Sequence, residues 1–94
     1  MFLTVAFYHF VTLDKKNNIQ EHVYNFCKAN NIKGTILLAD EGINGTISGK
    51  EENIRDFLIF IKKESLFNGL FSKLEHKESW ANKNPFYRMK VRLK

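Results

Sequence analysis

The stretch GTILLADEGINGTISG, residues 34–49, joins an aliphatic run to a glycine-rich one. Ile32–Ala39 is dominated by β-branched and aliphatic side chains, and Ile43–Ser48 resumes a similar pattern after only three residues. Two such runs separated by a short glycine-containing break predict a β-hairpin. Asp40-Glu41-Gly42 is the predicted bend, and Gly42 is the residue expected to take a positive φ there.

Gly45 and Gly49, later in this stretch, can also be interpreted structurally. Gly45 lies inside the second strand of the hairpin, where a glycine indicates a bulge or a close backbone approach. Ser48-Gly49-Lys50-Glu51 matches a capping box and predicts the start of a helix. Gly42, Asn44 and Gly45 are the candidate structural residues of the turn region. Neither the bend nor the capping box explains Gly45 and the polar pair beside it, Asn44 and Thr46.

Phosphate-binding motifs fit the same stretch less well. A P-loop requires Gly-Lys followed by Ser or Thr, whereas Gly49-Lys50 is followed by Glu51. Gly42-Ile43-Asn44-Gly45 matches the G-x-x-G clamp of KH domains. That clamp joins two helices, while this one begins a strand, so the match is weak.

Outside the hairpin, hydrophobic periodicity predicts two helices and three further strands. One helix carries an apolar stripe from Ile19 to Cys27 and ends at Asn30-Asn31, and the other carries a stripe from Ile54 to Ile61. The further strands are residues 3–12, Lys73–Trp80 and Tyr87–Leu93. The order β-α-β-β-α-β plus one strand predicts an α+β, ferredoxin-like (acylphosphatase-like) sandwich. Two helices would cover one face of an antiparallel sheet and leave the other face open.

Composition limits the chain to one small domain with an uneven charge. Its 94 residues allow a single core, and 44% of them are apolar. No segment approaches the length of a membrane span. The net charge is +5, and residues 73–94 alone carry seven cations against two anions. The surplus positive charge is therefore local, which favours an anionic partner at this end of the chain.

The last predicted strand carries most of these cations on one side. Four basic residues alternate with apolar ones, so a strand would present all four on one face. They are Arg88, Lys90, Arg92 and Lys94. Their spacing is comparable to that of phosphates along an extended nucleic-acid strand. The alternative is an edge strand whose charges prevent aggregation.

The first strand adds two aromatic side chains to the candidate site. Tyr8 and Phe10 point to the face opposite Leu3, Val5 and Phe7. On an open sheet face they could stack on RNA bases, as the aromatic residues of RRM sheets do. Alternatively, they pack under the segment 66–71 or against a partner domain.

The run 34–49 closely resembles the signature of the N-terminal domain of the rhodanese-related tRNA uridine hydroxylases. Tyr8-His9-Phe10, Lys77-x-Ser79 and the segment 86–94 agree with the same family in order. The resemblance implies a parent enzyme that forms 5-hydroxyuridine at the tRNA wobble position. It also implies molecular oxygen as the oxidant, tRNA as a partner, and a rhodanese-like domain later in the parent chain. Lys77 joins the candidate nucleic-acid-binding residues on this basis. The lone cysteine, Cys27, fits a reducing cytoplasm.

No catalytic residue, metal site or cofactor site is predicted within these 94 residues. Cys27 lies on the apolar face of a helix and lacks the surroundings of a rhodanese loop, so a structural role is expected. His9, His22 and His76 lie on different elements and show no metal-ligand spacing. The preferred hypothesis is a tRNA-binding accessory domain without membrane association. A non-catalytic docking scaffold for a rhodanese-like domain or a dimer is the alternative. An acylphosphatase-like enzyme is the third, although Leu13-Asp14-Lys15-Lys16 lacks the glycines and arginine of an acylphosphatase phosphate loop.

Overall fold

The computed structural model describes residues 1–94 and contains five strands, two α-helices and one short 3-10 helix. The strands are β1 (Phe2–Phe10), β2 (Lys33–Ala39), β3 (Gly42–Lys50), β4 (Glu75–Ala81) and β5 (Met89–Leu93). The helices are α1 (Lys16–Ala29), α2 (Glu51–Lys63) and the 3-10 helix Ser65–Phe67. The predicted α+β, ferredoxin-like fold is confirmed. None of the helices has the length and apolar character needed to cross a membrane.

The sheet has the strand order β4-β1-β3-β2-β5. The first four strands are antiparallel to their neighbours, whereas β5 runs parallel to β2. The prediction of a wholly antiparallel sheet is therefore wrong at this edge. The reason is the connection between the last two strands, residues 82–88. Because β4 ends at the end of the sheet where β2 begins, this crossover segment brings the chain to β5 in the same direction as β2.

The core lies between the sheet and the two α-helices, as the apolar stripes predicted. The ring of Phe57 on α2 packs against those of Phe7 and Phe26, at centroid distances of 5.8 and 6.2 Å. Phe67, in the 3-10 helix, contacts Phe60 with ring centroids 5.3 Å apart. The segment 66–71 thus joins the core on the helical side and does not cover Tyr8.

The hairpin forms as predicted, with a tighter turn. Ala39 pairs with Gly42, so Asp40 and Glu41 alone form the loop. Gly42 has φ +154°, and a Cβ there would lie 2.2 Å from the backbone oxygen of His9. Both the conformation and the contact therefore require glycine.

Gly45 is a glycine because the neighbouring backbone approaches it closely, and β3 has no bulge at this position. The register of β3 is continuous on both sides, with Phe7 and Ile36 paired to Gly45. A Cβ at Gly45 would lie 2.7 Å from the backbone oxygen of Thr35. The close-approach prediction is confirmed and the bulge prediction is wrong.

The predicted capping box does not form. Ser48 lies within β3, and its Oγ accepts a hydrogen bond of 3.0 Å from the hydroxyl of Thr4. Strand pairing continues to Lys50, which pairs with Phe2, so α2 can begin only at Glu51. Lys50 occupies the N-cap position without a side-chain hydrogen bond. Sheet pairing has therefore taken precedence over the local capping motif.

Candidate nucleic-acid interface

The face of the sheet away from the helices brings most of the predicted site residues together. Residues paired across neighbouring strands share a face, so the register defines rows that run across the sheet. One row consists of Lys77, Ala6, Thr46, Thr35 and Lys90. The next consists of Glu75, Tyr8, Asn44, Leu37 and Arg92. Five predicted residues from four different strands therefore lie on one surface.

The two predicted aromatic residues stand on this face in the open. Tyr8 is 57% exposed and Phe10 is 80% exposed, and their ring centroids are 6.0 Å apart. The alternative that they pack under the segment 66–71 is wrong, because that segment packs on the helical side. Two exposed neighbouring rings provide a platform for flat, apolar ligands.

Unpaired cations lie at both edges of the same face. Lys77 is on the edge strand β4, and Lys90 and Arg92 are on the edge strand β5. All three side chains are exposed, and none of them takes part in an ion pair. Their charges are therefore available to an external anion.

The other two predicted cations flank β5 instead of lying in it. The strand begins at Met89, not at Tyr87 as predicted, so Arg88 precedes it and Lys94 follows it. Their backbones nevertheless extend the pairing with β2. The Gly34 amide donates to the Arg88 oxygen at 2.8 Å, and the Lys94 amide donates to the Leu38 oxygen at 2.9 Å.

The crossover segment, residues 82–88, covers part of the face that was predicted to be open. The side-chain amide of Asn84 donates to the backbone oxygen of Ser48 at 3.0 Å, and the Phe86 amide donates to Asn84 Oδ1 at 3.0 Å. Ser48 is fully buried as a result. The face is open only beyond this segment, toward Ala6 and Tyr8.

A groove of about 580 Å³ lies between the crossover segment and the exposed aromatic platform. Tyr8, Thr35, Asn44, Thr46 and Phe86 are among the residues that line it. The unexplained polar pair in the hairpin, Asn44 and Thr46, was the sequence signal for this site. Thr35 and Phe86 were not predicted as site residues, because their positions depend on the register and on the path of the crossover.

The loop after β1 is arranged differently from a phosphate-binding loop. The Val11 amide donates to the Glu41 oxygen and the Leu13 amide to the Asp40 oxygen, both at 3.0 Å. Lys16 Nζ also donates to Asp40 Oδ1 at 2.5 Å. The hairpin turn thus engages two backbone amides of this loop and the ammonium group of Lys16, which argues against acylphosphatase-like chemistry there.

The remaining candidates lie apart from the open face. Cys27 is fully buried in the core, and burial raises the pKa of its thiol to about 12, so it is held as an unreactive thiol. His9 is on β1, His22 on α1 and His76 on β4. No group of three or more histidine, cysteine, aspartate or glutamate side chains is arranged to hold a metal ion.

Comparison with known proteins finds one matching family model and relatives that share a single name. Residues 2–94 match the family model described as the UPF0176 acylphosphatase like domain. The chain is 48% identical over 93 residues to a tRNA uridine(34) hydroxylase of Rhizobium leguminosarum bv. trifolii. It is 50% identical over 93 residues to the protein of the same name from Acaryochloris marina. In both cases 99% of this chain is covered, but only 29% of the relative.

Solved structures with low sequence identity share the fold. The BLUF protein BlrB in its dark state superposes with a TM-score of 0.76 at 13% identity, covering 98% of this chain and 72% of that one. The acylphosphatase from Bacillus subtilis superposes with a TM-score of 0.64 at 14% identity, covering 97% and 98%. At such identities the likeness concerns the fold alone.

Proposed function

The chain belongs to the UPF0176 acylphosphatase-like domain family, and on that basis we propose that it is the tRNA-binding accessory domain of a tRNA wobble-uridine hydroxylase. The relatives named above are tRNA uridine(34) hydroxylases, and the chain spans about 29% of their length. In this proposal the hydroxylation, with molecular oxygen as the oxidant, takes place in a rhodanese-like domain elsewhere in the parent chain. The 94-residue domain positions the tRNA in the cytoplasm and supplies no catalytic residue or cofactor.

The observation that carries the proposal is the position of the exposed aromatic residues relative to the free cations. Tyr8 and Phe10 stand on the sheet face away from the helices, and the edges of that face carry Lys77 on one side and Lys90 and Arg92 on the other. Single-stranded RNA is bound by this combination, because bases stack on aromatic rings while lysine and arginine contact the phosphates.

The charge pattern supports RNA over a protective edge strand. Charges that only prevent aggregation need to lie on the edge strands, but they do not need to share a face with exposed aromatic side chains. Here the free cations lie on both edge strands, β4 and β5, and share one face with the aromatic pair. A surface of this kind fits a polyanion that crosses the sheet.

A salt titration of tRNA binding tests the proposal. Fluorescence anisotropy would compare the wild-type chain with the double variant Lys90→Gln/Arg92→Gln. The matched control is Lys28→Gln/Lys63→Gln, which removes the same charge from exposed positions at the helix ends. Each phosphate contact contributes roughly 0.7–0.9 to the slope of log K against log salt concentration.

We expect the site variant to bind tRNA more weakly than the control and to show a shallower slope. If both variants behave alike, the cations of β5 do not contact RNA. If the wild-type chain does not bind tRNA at low salt, the domain is a docking scaffold for the rest of its parent protein.

A further inference from the structure

We infer that the groove beside Phe86 binds a single unstacked base of an RNA strand, an inference that rests on the proposed RNA-binding function. Its volume of about 580 Å³ lies within the usual range of small-ligand sites. The groove lies on the same sheet face as the exposed aromatic pair. It therefore gives that surface a place where one base could be held and read.

The depth of the groove comes from a small residue between two aromatic ones. Ala6 lies in the row between Thr46 and Lys77 and contributes only a methyl group. Tyr8 follows two residues later along β1, in the next row. Phe86 belongs to the crossover segment, which covers the row on the other side of Ala6. A flat ring entering above Ala6 would therefore meet an aromatic side chain from each direction along the strand.

The floor of the groove carries three polar side chains without partners. No hydrogen bond within the protein involves the side chain of Thr35, Asn44 or Thr46. Thr35 and Thr46 are directly paired, so their Cβ atoms are about 4.5–5.5 Å apart. Asn44 and Thr46 are separated by two strand positions, roughly 6.6–6.8 Å.

The dimensions and chemistry of this floor suit the edge of one base. Hydroxyl and amide groups both donate and accept hydrogen bonds, as the edge of a base does. A docked apolar peptide would leave the same three groups without hydrogen bonds, which is unfavourable. The polar floor therefore favours a nucleobase over an apolar protein segment.

The rim of the groove favours a base over a phosphate as the occupant. Lys77 and Glu75 both line it, so its charge is mixed and a phosphate inside would face a carboxylate. The row of Lys77 ends at Lys90 on the opposite edge, four strand spacings or about 19 Å away. Phosphates on either side of the bound base could contact these two lysines while the base fills the groove.

The test measures the binding of pentauridylate, pentacytidylate and pentaadenylate to the 94-residue chain by NMR and fluorescence anisotropy. Phe86→Leu keeps apolar bulk but removes the ring, and Thr46→Val keeps the shape but removes the hydroxyl. Thr12→Val, at an exposed position outside the groove, is the matched control. Amide spectra establish that every variant is folded.

We expect Phe86→Leu to weaken binding by at least about fivefold, the lower end of the range for loss of a base-stacking ring. Thr46→Val would reduce the differences in affinity among the three RNAs, and both variants would keep the salt slope of tRNA binding. The inference is overturned if both variants bind the pentanucleotides as the control does. If tRNA binding is intact, that result would exclude only the groove as a base-binding site and would leave the proposed function standing. If the wild-type chain binds neither tRNA nor the pentanucleotides, the proposed function itself fails.

Discussion

The guanidinium of Arg55 on α2 donates two hydrogen bonds to the carboxylate of Glu78 on β4. Nη1 lies 2.5 Å from Oε2, and Nη2 lies 3.1 Å from Oε1. The Nε2 atom of His76 lies 2.7 Å from Oε2 of the same carboxylate. These hydrogen bonds lower the pKa of Glu78 to about 2, and the one from Arg55 makes a larger contribution than the one from His76. This cluster ties the edge strand β4 to the helical layer.

The depressed pKa of Glu78 predicts a specific acid sensitivity. A carboxyl group whose pKa is lower in the folded state than its usual 4.5 stabilises the fold above that pH, and the contribution is lost as the pH falls toward 2. We expect Glu78→Gln to lower Tm at neutral pH and to flatten the fall of Tm across this window. Thermal unfolding by circular dichroism measures both.

Glu75→Gln on the same strand is the control for this prediction, because Glu75 takes part in no ion pair. Both groups are at the surface, so the difference between the variants is expected to be modest. Equal Tm profiles for the two variants would mean that the pair with Arg55 adds no measurable stability.

Gly42 is predicted to tolerate no side chain. Gly42→Ala would combine an unfavourable φ of +154° with a Cβ only 2.2 Å from the His9 oxygen. We expect a loss of stability on the order of 1–2 kcal/mol or more, measured by urea denaturation. Gly69→Ala is the matched control, since Gly69 also has positive φ (+77°) but nothing lies within 4 Å of its added Cβ. A cost at Gly42 no larger than at Gly69 would contradict the contribution of the close contact.

Cys27 is predicted to react slowly with thiol reagents. Its side chain is fully buried, and burial raises the pKa of the thiol to about 12, so little thiolate is present at pH 8. We expect labelling by an aromatic disulfide reagent to require opening of the fold and to accelerate in urea. Ala29→Cys in a Cys27→Ala background places the thiol at an exposed position of the same helix and would label rapidly. Fast labelling of Cys27 with native spectra would contradict its core position.

The elements that depend on local periodicity could be predicted, and those that depend on distant pairing could not. The stripes of Ile19–Cys27 and Ile54–Ile61 and the hairpin around Gly42 all formed. The direction of β5 was missed, because it depends on the path of residues 82–88 across the end of the sheet. The predicted capping box at Ser48 is wrong, because a four-residue motif does not reveal that β3 pairs with β1 as far as Lys50.

The candidate site divides in the same way. Alternation along a single strand was enough to place Tyr8 and Phe10 on one face, because side chains alternate with period two. Their meeting with Thr35 and Asn44 requires the register of three strands, and the contribution of Phe86 requires the crossover. No pattern within one segment carries that information.

Asn84 is predicted to hold the crossover segment in place. Its Nδ2 donates to the Ser48 oxygen and its Oδ1 accepts from the Phe86 amide, both at 3.0 Å. Asn84→Ala removes both bonds, and at a net contribution of about 0.5–1.5 kcal/mol each we expect a loss of roughly 1–3 kcal/mol in the free energy of unfolding. The Phe86 amide would also exchange with deuterium faster, which NMR measures directly.

Asn84→Asp separates the two hydrogen bonds. An aspartate still accepts from the Phe86 amide, so that amide is expected to stay protected from exchange. The second carboxylate oxygen, however, would face the Ser48 carbonyl, which it cannot satisfy, so stability would still fall at neutral pH. If Asn84→Ala left both unfolding and Phe86 exchange at wild-type values, the crossover would be held by apolar contacts of Phe86 instead. Protection of Phe86 in Asn84→Asp together with its loss in Asn84→Ala would show that this one side-chain oxygen holds the backbone of Phe86.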